Sequence, residues 1–102
     1  MNGMTKIKAI QRLLGDAGVV LNTYKENDFK VDKATSEKAE SLKPVLLNKA
    51  RYDSKYSLEC GLFLNALVLA TKIAKGEPLH AEFDATCERA NVVVRGREGL
   101  WP

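Results

Sequence analysis

The chain is short of the residues on which most small-molecule chemistry depends. It has one histidine, two cysteines, three prolines and one tryptophan among 102 residues. With His80 as the lone imidazole, and no CxxC, HxxxH or HExxH spacing, the ligand set of a zinc site is lacking. Nucleophilic catalysis needs a nucleophile, a base and a group that orients the base. A single histidine and the lack of a GxSxG frame leave that requirement unmet. Phosphate-cradling loops are missing too, because Gly96-Arg97-Glu98-Gly99 has neither Walker nor GxGxxG spacing. Paired carboxylates stand out nowhere. Glu59, in an apolar setting, has a simple account as a partner for a helix dipole.

Long uncharged apolar runs are also lacking. The best segment free of acid and base, Cys60 to Thr71, falls short of the roughly 17–25 residues a bilayer requires. This argues against a membrane helix. Met1 to Val20 has lysines and an arginine spread through it, unlike a secretory leader. Cys60 and Cys87 fall on apolar helix faces and read as reduced core residues, which favours a cytoplasmic setting. A disulfide between them is the alternative.

What is present is a helical pattern. Residues 57–75, SLECGLFLNALVLATKIAK, form the most apolar stretch. Asp53, Ser54 and Ser57 suit its N-terminus, and Lys72, Lys75, Gly76 and Pro78 suit its end. Apolar residues cover more than half of its wheel, so it is expected at the centre of the fold. A narrow stripe of Gly61, Asn65, Val68, Lys72 and Lys75 interrupts them. It reads first as a solvent seam. Its second reading is a contact line, with Gly61 allowing close approach and Asn65 fixing register in a homodimer.

The other segments follow the same rules. Thr5 caps a first helix to about Leu14, ended by Gly15. Residues 19–33 alternate and are rich in β-formers around the polar turn 25–28. They suggest a short β-hairpin or an irregular loop. A second helix is expected from Ser41 or Leu42 to Tyr52, with Pro44 in its first turn. Its alternative is one kinked helix from Ser36. Leu79, Phe83, Cys87 and Ala90 mark an amphipathic last helix closing near Asn91, followed by a short apolar run, 92–94, and a turn. The expected fold is mainly α: one small globular domain over 1–102, about four helices around 57–75, with 1–4 and 95–102 as flexible ends.

Two surfaces stand out for binding. The corner between the second and central helices carries Lys49, Arg51 and Lys55 with Tyr52 and Tyr56, and Lys8 and Arg12 add charge from the first helix. Residues 1–51 hold ten basic against six acidic residues, a net +4. That suits nucleic-acid phosphates, although such an imbalance is common on solvated surfaces. The tail offers Arg95, Arg97 and Trp101, residue types enriched at binding hot spots. The functional expectation is a small non-enzymatic regulator, adaptor or inhibitor that binds another protein through Asn65, Lys72, Arg95, Arg97 and Trp101. A nucleic-acid-binding regulator is the alternative, and a cysteine-dependent enzyme using Cys60 or Cys87 the third.

Overall fold

The computed structural model describes the backbone of residues 3–97 and the side chains of residues 8–91. Four helices follow one another: α1 (Gly3–Glu26), α2 (Lys33–Tyr52), α3 (Ser57–Ala74) and α4 (His80–Arg97). There is no strand among the described residues. The hairpin expected at 19–33 is therefore a correction: α1 runs through Gly15 and Gly18 to Glu26. The reason lies in packing. Ile10, Leu14, Ala17, Leu21 and Tyr24 form one buried stripe at helical spacing, and this outweighs the β-preference of Val19, Val20 and Tyr24. Gly18 faces the Phe63 ring, which would lie 3.9 Å from an added Cβ.

After α1 the chain reverses through a turn with two left-handed residues, Asp28 (φ 53°) and Phe29 (φ 63°). The Phe29 amide donates to the Tyr24 carbonyl at 2.7 Å and closes the helix. The Phe29 ring then packs edge-on against His80 (5.2 Å) and Phe83 (5.0 Å). This contact puts the α1–α2 turn and the α3–α4 connection at one end of the bundle. The α2–α3 corner, the start of α1 and the end of α4 lie at the other.

The second helix begins earlier than the favoured reading, as a single helix with Pro44 inside. Asp32 caps it by accepting from the Thr35 amide at 2.8 Å. At the corner, Asp53 Oδ1 accepts from the amides of Lys55 (3.1 Å) and Tyr56 (3.3 Å). Ser57 is not a cap, because its hydroxyl donates to the Ala50 carbonyl at 2.6 Å and ties α3 to the last turn of α2. The end of α3 matches expectation. Gly76 sits at φ 103°, and the Glu77 amide donates back to the Lys72 carbonyl at 3.2 Å. Residues 92–97, expected as a short apolar run and a turn after a helix closing near Asn91, instead continue α4.

Helix α3 packs on α1, α2 and α4, whereas among the described residues α4 packs on no helix but α3. The centre of the bundle is thus Leu67, Ala66, Ala70 and Cys60 of α3, with Leu46, Ile10 and Phe83 from the three neighbours, all essentially without solvent contact. By length and apolarity α3 would suit a membrane span, but half of that window is buried inside the bundle.

Candidate functional site

At 100° per residue, the side chains of α3 sort into two sectors. Phe63, Ala66, Leu67, Ala70 and Ile73 turn to the other helices and are buried. Thr71 marks the α2 side, where its hydroxyl accepts from Lys43 Nζ at 3.1 Å and donates to the Val68 carbonyl at 2.9 Å. The remaining sector, roughly a third of the circumference, has no covering helix among the described residues. It holds Leu58, Gly61, Leu64, Asn65, Val68, Leu69 and Lys72. Asn65 and Lys72 are exposed, Leu64, Val68 and Leu69 half-buried, and Leu58 is 54% exposed. A Cβ built on Gly61 meets nothing within 4 Å. The stripe read from the sequence is therefore the open side of the central helix.

The basic corner lies beside one end of this open side. Arg51 and Lys55 are exposed, Lys49 is half-buried, and Tyr52 is 80% exposed. Lys8 and Arg12, also exposed, belong to the first half of α1 and so to the same end of the bundle. The two acids of the corner turn inward: Asp53 is buried, and Glu59 is 0% exposed. A shallow notch of about 140 Å³ is lined by Asn48, Lys49, Tyr52 and Asp53. On the opposite side, α1 and α4 leave a cleft of about 140 Å³ floored by Phe63 and walled by Leu14, Leu21, Cys87 and Ala90. Arg95 and Arg97 occupy the last turn of α4 by backbone. Their side chains, and Trp101 altogether, lie outside the described residues.

The chemistry of the thiols is unfavourable to attack. Both cysteines are free, and Cys60 is buried. Burial, then the nearby charges of Glu59 and Asp53, push its thiol up to about 11, with Lys49 opposing weakly. Burial also raises the Cys87 thiol. Protonated thiols are poor nucleophiles at neutral pH. Cys60 lies at the corner end of α3 while His80 opens α4 at the other end, so the fold does not bring this pair together. Among the described residues, no group of three or more His, Cys, Asp or Glu is placed to hold a metal ion.

Sequence spacing located the open stripe and the basic corner. It missed the exposed Leu58 and the complete burial of Glu59, because either residue at the start of a helix reads as facing whichever way the helix dipole or core demands. No protein-family model, curated protein or solved structure matches this chain.

Proposed function

We propose that this chain is a small non-enzymatic regulator, adaptor or inhibitor that acts by binding another protein across the open side of α3. The observation that carries the reading is the uncovered sector of the most apolar helix, where Leu58, Val68 and Leu69 surround a glycine and an asparagine. Contiguous exposed apolar surface beside polar residues marks interaction sites in soluble domains. Both thiols are disfavoured as thiolates and the lone histidine stacks on Phe29, which supports binding over catalysis.

The test is site-specific photo-crosslinking. A benzophenone side chain at position 65 is expected to capture a second protein in extracts of the native host, while the same group at exposed Glu37 does not. Absence of any protein adduct from position 65, or identical adducts from both positions, would remove the reading.

The corner supports a second reading, contact with nucleic acid. Lys8, Arg12, Lys49, Arg51 and Lys55 share one end of the bundle, and the acids of that corner are buried. Anisotropy with labelled duplex and single-stranded DNA distinguishes it. Non-specific binding at roughly 10⁻⁴–10⁻⁶ M, steeply weakened by salt, is the positive signature. Charge reversal at Arg51 and Lys55 that leaves retention unchanged sinks it.

A further inference from the structure

We infer that the open side of α3 is a docking groove for an amphipathic helix of another protein whose apolar face is flanked by carboxylates. The inference rests on the protein-binding reading and adds the chemistry of the partner.

Shape supplies the first argument. Helix α3 contacts both α2 and α4, and among the described residues no contact joins α2 to α4, so the uncovered sector is a strip with one helix on each side. A helix docks along such a strip through anchors at three- and four-residue spacing. Gly61 leaves unfilled space at the middle of the corner half, where a foreign backbone can approach closely. Leu58, Leu64, Val68 and Leu69 offer the apolar contact.

Charge supplies the second. Lys72 is exposed on α3 itself and Lys75 just past its end. On α2, Lys43, Leu47 and Arg51 follow at intervals of four, and the Lys43 bond to Thr71 sets this edge beside α3. Arg51 is exposed, and Glu40 is held by Lys43 at 2.9 Å. On α4, the flank away from the Phe63 cleft carries exposed Arg89 and Glu82. The exposed acids near the sector are Glu40, which is paired with Lys43, and Glu77 and Glu82 at the loop end, while Asp53 and Glu59 of the corner end are buried. Lys72, Lys75, Arg51 and Arg89 remain as the cations around the face, and at its corner end Arg51 has no exposed acid beside it on α3. A second copy is disfavoured for the same reason. Apposing two such faces, parallel or antiparallel, sets cation against cation.

The experiment uses two fluorescein-labelled helical peptides as long as α3, each with a leucine stripe, one flanked by glutamates and one by lysines. Titrated with the full chain, the acidic peptide is expected to bind at least about tenfold more tightly, and to weaken as salt rises. Gly61→Leu fills the approach site without burying anything, so it should abolish binding while its thermal melt stays at or above the parent's. Lys72→Glu should weaken the acidic peptide and not the basic one. Equal binding of both peptides, no binding of the acidic one, or full binding by Gly61→Leu would overturn the inference. So would a dimer in sedimentation that Gly61→Leu dissolves, which assigns the face to a second copy, or DNA retention that the same variant abolishes. A protein adduct from position 65 combined with no acidic-peptide binding would leave the protein-binding reading standing and remove only the acidic helix.

Discussion

On one side of α3, Phe63, Leu67 and Ala70 are closed over by three helices; on the other, Leu58, Val68 and Leu69 look outward beside Asn65 and Lys72. The two sectors have much the same aliphatic content, so hydrophobicity does not decide which of them packs. The difference lies in what interrupts them. Small and aliphatic residues that neighbouring helices can approach dominate the buried sector, which also takes in Glu59 and Thr71, whereas the open one is punctuated by Asn65 and Lys72, whose burial without partners would be costly. A helix can thus be the centre of a core and still keep one side in reserve.

This contrast is sharpened most by paired truncations. Leu67→Ala truncates a side chain with no solvent exposure and should cost about 2–5 kcal/mol. Leu58→Ala should stay within about 0.5 kcal/mol, as surface substitutions do. Urea unfolding of both variants checks the pair, and similar losses would mean the open side is packed after all. Alkaline pH offers a second probe of the buried side. Cys60 holds its proton to about 11 in the fold against 9.0 as the ordinary value. Its thiol contributes stability that is complete below the lower value and is lost as pH rises through the upper one. That loss is at most on the order of 2–3 kcal/mol. Cys60→Ala should flatten the fall in stability between these two pH values, whatever it costs at neutral pH.

The corner comes next in size. Asp53→Ala removes the acceptor for two amides and should cost about 0.5–2 kcal/mol in chemical denaturation. The smallest effect has the opposite sign. Gly61→Ala adds a methyl in open space on a helix interior and should stabilise by roughly 0.5–1 kcal/mol. A destabilised Gly61→Ala would show that something in the chain already occupies that space.

Local rules read α3 closely, because its stop signals are strong: Gly76 must take a left-handed φ and Pro78 cannot extend a helix. They failed at Val19 to Tyr24, where β-branched residues lie on a stripe that only the assembled bundle rewards. At Pro44 they favoured a helix start, and it is the alternative, one helix running through the proline, that α2 follows, beginning still earlier at Lys33. For the candidate site, the spacing of Gly61, Asn65, Val68 and Lys72 was legible. That the stripe stays uncovered was not, because it depends on α2 and α4 flanking α3 without meeting. The burial of Glu59 was equally hidden, since a first-turn acid carries the same signature whether it faces water or protein.

The attachment of α4 has a consequence for motion. Among the described residues it is held by α3 and, at its first turn, by the Phe29 ring, and by no other helix. Elements with so few anchors open as units of their own, at a free-energy cost below that of global unfolding. Detachment of α4 would leave the α1–α2–α3 contacts intact while baring the flank of α3 that it covers, which would widen the side of α3 available to other molecules.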